Sequence, residues 1–455
     1  MIARQQGEIL ELQRTAAERR GEIARLSETV AEQRLTIRRL EARLRDLEAA
    51  SGKGGRGEMP GHKPSQAAGP EAGRRRKQRA RGYGRGRGEP TDVVVHAMER
   101  CPDCGTALAG GTPKWSRQVI EVEPSPVQVV EHVFVERTCP ACHRRWAPRT
   151  EALGGAVVGQ QRLGIGLVSL VATLREVGRL PVRTIRWYLG QVHGLRLSAG
   201  AIVAASGTVA ERGAAEVERI RARIRASPGV HADETGWRQN GRNGYVWTFC
   251  TPTAVLFRYG RRTKEMVDEA LGKAFGGVLI SDFYAAYHHC DGLKQRCWAH
   301  LLREIHDLRV AQPQDEALGA WATAVQAIYA EAVAFAHPDA RERVRAMRRF
   351  EERLLAACRP FLADTSAPHR TLCARIERHL AELFVFVAHP EAPPDNNAAE
   401  RSLRHLVTSR KISGGTRSGQ GTATKMATSS LFGTWRLQGL DPLLACRRLL
   451  AQPQI

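Results

Sequence analysis

The chain has 455 residues, 42% of them hydrophobic, and at about 150 residues per domain it has room for about three domains, which excludes a peptide hormone or a disulfide miniprotein. Its 69 Lys+Arg against 47 Asp+Glu, a net +22, predict a polyanionic partner, nucleic acid first. No run reaches the roughly 20 apolar residues of a membrane span, and the opening MIARQQGEILELQR lacks the apolar core of a secretory signal, so a soluble intracellular protein with no membrane partner is expected.

Residues 1–50 repeat every seven positions: Ile9, Ala16, Ile23, Val30, Ile37 and Leu44 in one seam position, Leu12, Arg19, Leu26, Gln33, Leu40 and Leu47 in the other. Such a register predicts a coiled coil, and β-branched residues opposite Leu favour a homodimer, with Arg19 and Gln33 fixing register at some loss of stability. An amphipathic helix packed on the protein body would instead follow a 3.6-residue period. Residues 51–92 hold 11 Gly and 11 Lys+Arg against 4 acids and read as a flexible basic linker. Within it Arg74, Arg75, Arg76 and Lys77 are candidate phosphate contacts; the alternative is a solvated spacer.

Residues 93–150 form a four-cysteine module. Cys101-Pro-Asp-Cys104 and Cys139-Pro-Ala-Cys142 are separated by 34 residues, and four thiolates in paired turns suit a tetrahedral structural Zn²⁺ better than redox chemistry. VIEVEP and VQVVEHVFVE alternate between the pairs, predicting the strands of a DNA-binding zinc ribbon. His143 is a weaker ligand candidate. Residues 151–227 read as helices, with Ser198 as an N-cap and a break at 194–198 compatible with either a helix-turn-helix or a plain connector.

From residue 228 the pattern becomes α/β. PGVHADETGWR is a strand, YVWTFCTP and TAVLFRYG form a hairpin, RTKEMVDEALGKAFG a helix, and GGVLISDFYAAY a buried strand ending at Asp282. Asp233 and Asp282 sit where open α/β sheets place their sites, although an Asp after a strand is also a common turn former. Residues 297–394 are largely helical; Pro393-Pro394 breaks the chain before Asp395-Asn396-Asn397-Ala398-Ala399-Glu400-Arg401 starts a helix. Asn397 and Glu400 also match a capping box. Taken together, Asp233, Asp282 and Glu400 would repel one another without divalent cations, so oxygen-ligated Mg²⁺ or Mn²⁺, two ions about 4 Å apart, is expected, in the manner of phosphodiester displacement. Arg401, Arg404 and Lys411 are candidate DNA contacts beside them.

HADETGWR, LISDFYAAY, CWAHLLREI, PPDNNAAERSLR and RKISGGTRS, in this order behind the four cysteines and the heptads, resemble bacterial transposases of the insertion-sequence 66 family over nearly the whole chain. The resemblance implies a ribonuclease-H-like core split into 228–296 and 395–455 by a helical insertion at 297–394, with catalytic Asp233, Asp282 and Glu400. It further implies DNA transposition: terminal inverted repeats bound, 3′ ends cleaved and transferred to target DNA by a cytoplasmic, nucleoid-associated protein, with small companion proteins from the same element. Cys297 and His300 are similar to a Cys-x-x-His signature of related transposases. Ile412-Ser413-Gly414-Gly415 departs from the aromatic-bearing segment of some members. The rival class is a non-enzymatic, zinc-dependent dimeric DNA-binding regulator, which would account for the first 225 residues alone; a nuclease without strand transfer is a third reading.

Overall fold

The computed structural model describes residues 89–120, 127–148, 153, 155–158 and 161–452. The heptad segment and the basic linker with Arg74, Arg75, Arg76 and Lys77 lie outside the described residues. The chain divides into two units, 1–119 and 120–455. In the first, an isolated bridge joins Arg100 to Ala107 around the turn of Cys101 and Cys104.

The second unit begins with two short strands, β1 (Arg137–Thr138) and β2 (Arg145–Trp146), paired antiparallel around Cys139 and Cys142. Residues 127–136, expected as a strand, form none. Among the described residues most of their alternating apolar side chains are left uncovered, Val129 being 92% exposed and Val133 76%, and β-propensity expresses itself only against a partner strand and a covered face.

Four helices follow as the periodicity predicts: α1 (Ile165–Glu176), α2 (Val182–His193), α3 (Ala199–Arg212) and α4 (Ala214–Arg225). Gly194 closes α2 in the left-handed conformation that a β-carbon disfavours, and Ser198 Oγ accepts the Ala201 N–H at 3.0 Å to start α3. At the end of α1 the buried Glu176 carboxylate receives Lys425 Nζ, Ser429 Oγ and Thr428 Oγ1 at 2.8–3.0 Å.

A five-stranded mixed sheet is built from β3 (Gly229–Gln239), β4 (Arg242–Cys250), β5 (Val255–Gly260), β6 (Val278–Ser281) and β7 (Lys294–Arg296), with α5 (Glu265–Leu271) between β5 and β6. The strand order is β5-β4-β3-β6-β7: β3, β4 and β5 form an antiparallel meander, and β6 and β7 add in parallel. Alternation along β3 sends Val230 and Ala232 into the core shared with α1, α3 and α4, while Trp237 joins the opposite face.

Helices α6 (Trp298–Ala311), α7 (Glu316–Ala334), α8 (Ala340–Leu362), α9 (Arg370–Arg378) and α10 (Val385–Ala388) gather around a separate core containing Trp298, Trp321, Phe350 and Phe384. The chain then returns to the sheet with α11 (Asn397–Ser413), α12 (Gly419–Leu437) and α13 (Pro442–Ala451). Ala399, Leu403 and Leu406 of α11 cover the Trp237 face. Along the edge strand β5, Thr434 Oγ1 accepts the Val255 N–H at 3.1 Å and Ser430 Oγ that of Phe257 at 2.9 Å. Two hydroxyls one turn apart on α12 thus occupy donors that an open edge would offer to another chain.

Candidate active site

Asp233 lies in the middle of β3, Asp282 directly follows β6, and Glu400 is in the first turn of α11. Asp233 shares the β3 face of His231, Thr235 and Trp237, on which α11 packs; Glu234 faces the other side. Burial, the adjacent Glu234 charge, Asp282 and, more weakly, Glu400 push the Asp233 carboxyl up to about 7. Asp233 thus feels, after burial and Glu234, the charges of both other sequence-predicted acids. Asp282 also behaves as the turn former that its position suggested, its Oδ1 accepting the Tyr284 N–H at 3.0 Å.

The capping-box alternative for Glu400 is not the one adopted. Asp395 Oδ1 takes the Asn397 N–H at 3.0 Å, and Glu400 Oε1 stands 3.8 Å from His300 Nε2 on the first turn of α6. What brings α11 to β3 is Asn396, 1% exposed. Its Nδ2 donates to Ala232 O at 2.7 Å, its Oδ1 meets His231 Nδ1 at 3.1 Å, and its backbone N–H donates to Cys297 Sγ at 3.1 Å. Cys297 N–H in turn donates to Ser281 O at 2.8 Å, next to Asp282. Cys297 is thus a joint between α6, β6 and α11.

Further along α11, Ser402 Oγ contacts Thr248 Oγ1 at 2.8 Å, and Arg410 donates to Thr235 Oγ1 and Gly236 O. Thr416 N–H reaches Arg238 O at 2.9 Å, an approach so close that a β-carbon on Gly415 would collide with that carbonyl. The Gly414-Gly415 pair therefore suits the stitching of α11 to β3. Arg401, Arg404 and Lys411 are exposed, free of the constraint that commits Arg410 to the sheet.

Glu234, on the opposite face, is held by Arg262 and by the Tyr287 hydroxyl at 2.6 Å. Burial, helped by Asp282, raises its carboxyl despite these partners. Sequence reasoning missed Asn396, Glu234 with its partners, and Arg296, which donates to the Asp282 carbonyl at 2.7 Å. The DNN spacing was the available signal for the first; for Arg296 there was none.

Among the described residues no group of three or more His, Cys, Asp or Glu side chains is closed up as the ligand set of one ion. The chemistry of the three acids nevertheless fits a divalent metal: all donors are hard carboxylate oxygens, and the upward push on Asp233, due first to burial and then to the Glu234, Asp282 and Glu400 charges, marks a place where negative charge is unfavourable without a cation.

The two cysteine pairs, one in each unit, share a local geometry. Cys101 O accepts the Gly105 N–H and Cys139 O the His143 N–H, both at 2.9 Å; Cys101 N–H donates to Thr106 O and Cys139 N–H to Arg144 O. Gly105 (φ 73°) and His143 (φ 55°) occupy the same left-handed position, which accounts for His143 as a turn residue. Hydrogen bonds from Thr106 pull the Cys104 thiol below its usual range, and the backbone N–H groups of Cys142 and Ala141 do so for Cys139. Stabilised thiolates in such turns fit Zn²⁺.

A mixed α/β domain built on a five-stranded mixed sheet with many helices is compatible with a nucleotidyl-transfer domain of the transposase class. The chain belongs to the transposase IS66 family, which matches residues 160–424 and so includes all three acids. It is also similar to the uncharacterized protein y4jO of Sinorhizobium fredii, 41% identical over 70 residues; the match covers 15% of this chain and 22% of that protein.

Proposed function

We propose that the protein is a DNA transposase that binds the terminal inverted repeats of its own insertion sequence, cleaves their 3′ ends and transfers them to target DNA. The observation that carries this reading is the placement of Asp233 within β3 and Asp282 directly after the neighbouring strand β6, with Glu400 in the first turn of the helix that packs on the Asp233 face of the mixed sheet. The meander β3-β4-β5 extended by parallel β6 and β7 supports a ribonuclease-H-like core, with the helices between residues 298 and 388 as its insertion.

Asp233, Asp282 and Glu400 would hold Mg²⁺ or Mn²⁺, which when bound activates the attacking oxygen and stabilises the leaving one. Asn396 keeps Glu400 in register with Asp233, and Arg296 fixes the backbone of Asp282. Exposed Arg401, Arg404 and Lys411 receive the DNA backbone. Water attacks the phosphorus at the element's end, breaking the P–O3′ bond and freeing a 3′-hydroxyl; that hydroxyl then attacks a target phosphodiester, joining to its phosphorus as the target's P–O3′ bond breaks and leaves a target 3′-hydroxyl. No bond to the protein forms.

We further read residues 93–150 as a DNA-binding zinc module, 151–227 as a helical segment available to DNA, 1–50 as the dimerising coiled coil and 51–92 as a basic arm. Small companion proteins of the same element complete the expected partners.

The test is a cleavage and joining assay with Mg²⁺ on the element's terminal DNA, companion proteins included. Wild type is expected to yield joined strands, and Asp233→Asn, Asp282→Asn and Glu400→Gln to bind the ends but lose at least about 10³-fold in rate, a loss of about 4 kcal/mol of transition-state stabilisation. A wild type that binds and never cuts would instead favour the regulator; cutting without joining would favour the nuclease.

A further inference from the structure

Arg262 follows β5 in the basic run Arg261-Arg262-Thr263-Lys264. Its Nε and Nη2 both donate to Glu234 Oε1, at 2.9 and 2.7 Å, while Tyr287 donates to the other carboxylate oxygen. The guanidinium lies 3.8 Å from the Tyr284 ring centroid and 5.5 Å from that of Tyr245. Even its backbone is tied down, since the Tyr284 hydroxyl donates to Arg262 O at 2.8 Å and Trp247 Nε1 to Arg261 O at 3.1 Å.

The burial of this pair is lopsided: the Glu234 side chain is 4% exposed and that of Arg262 40%. An arginine serving only to neutralise a buried acid would be enclosed with it. Here the acid is enclosed, and the arginine keeps an outer edge, Nη1, that makes no hydrogen bond to the described residues. A guanidinium so immobilised is preorganised for a second anion, having already given up its rotamer freedom.

Its neighbourhood selects the anion. Tyr284, on which Arg262 stacks, donates its N–H to Asp282, so the arginine belongs to the same bonded chain as a candidate catalytic acid. A ligand that must approach carboxylates while carrying its own negative charge, and that presents paired oxygens to a guanidinium edge, is a phosphodiester. We propose that Arg262 clamps a backbone phosphate of the DNA strand being processed, a few linkages from the cleaved bond, with Glu234, Tyr284 and Tyr287 as its fixed mount. This rests on the proposed function and adds to it a substrate contact on the side of β3 away from α11.

The experiment uses full-length protein and terminal duplexes in which single phosphates near the cleavage site are replaced by neutral methylphosphonates. One position is expected to slow wild-type cleavage about tenfold, Arg262→Gln to do the same on unmodified DNA, and the combination to add nothing, as for one charge-assisted contact. Losses that multiply at every position, or an unimpaired Arg262→Gln with the wild-type unfolding midpoint, overturn the clamp. Tyr287→Phe, which loosens Glu234 but leaves Arg262, should give an intermediate loss. Should wild type bind but not cut, the proposed function fails and the salt dependence of binding decides the clamp. A log–log slope smaller by about 0.9 in Arg262→Gln supports it, and an unchanged slope rejects it.

Discussion

Arg296 is fully buried, with Nε 2.5 Å from Glu382 Oε2 and Nη1 bonded to Ser281 Oγ and the Asp282 carbonyl. Although burial works the other way, the His379 hydrogen bond and the Arg296 charge pull the Glu382 carboxyl down to about 2. A folded value below the unfolded one contributes stability that is complete above the unfolded pKa near 4.5 and lost as pH falls towards 2. The shift amounts to about 3 kcal/mol. Glu382→Gln should therefore cost about 3 kcal/mol at pH 7, because it strands a buried guanidinium, and should flatten the acid loss. Urea unfolding at pH 7, 5 and 3.5 checks this, and parallel losses in variant and wild type would refute it. At this scale the motifs of the candidate acids were legible, and Asp282 does follow a strand end and Glu400 does lie at a helix start, but Asp233, expected at a strand's carboxyl end, sits inside β3, which runs on to Gln239 because it pairs with β4 as far as Arg242. Their supports were not: nothing in the letters of Asn396, Cys297 or Arg296 says that each spans elements about 15 to 165 residues apart, since hydrogen-bonding capacity names no partner.

The edge strand β5 and helix α12 meet at Gly433, where a β-carbon would stand 2.6 Å from Val255 Cγ1. Valine is stiff about χ1 and cannot swing away, so Gly433→Ala should push the helix off the strand and stretch the Thr434 and Ser430 contacts. We expect a loss of about 1–3 kcal/mol, typical of overpacking, read as a lower urea midpoint; an unchanged midpoint would mean that the contact is slack. Elements with a strong period were legible, among them α1 to α4 and the β4-β5 hairpin. The expected strands of the four-cysteine module were not borne out over residues 127–136, because alternation without a covered face fixes no strand. β7 gave no signal at all: Lys294-Gln295-Arg296 is polar throughout and buried through hydrogen bonds rather than apolar area.

For the whole molecule, the acids come from distant stretches of one unit, Asp233 and Asp282 before the helices of residues 298–388 and Glu400 after them. The heptads, which lie outside the described residues, supply the prediction at this scale. Deleting residues 1–50 should reduce a dimer to a monomer in light scattering, while an unchanged mass would sink the coiled-coil reading. The basic arm and helical segment would still bind DNA, more weakly for want of a second copy.

The closing of the β5 edge by α12 also has a consequence for synthesis. At about 5–20 residues per second, roughly 10–30 s pass between the appearance of Asp282 and that of Leu437. Until Glu400 appears the growing chain carries two of the acids without the third, and until Leu437 appears it presents an uncapped strand. On the proposed function, a product terminated before Glu400 would be able to grip DNA without cutting it, and so would compete with the finished protein for the same ends rather than damage the chromosome.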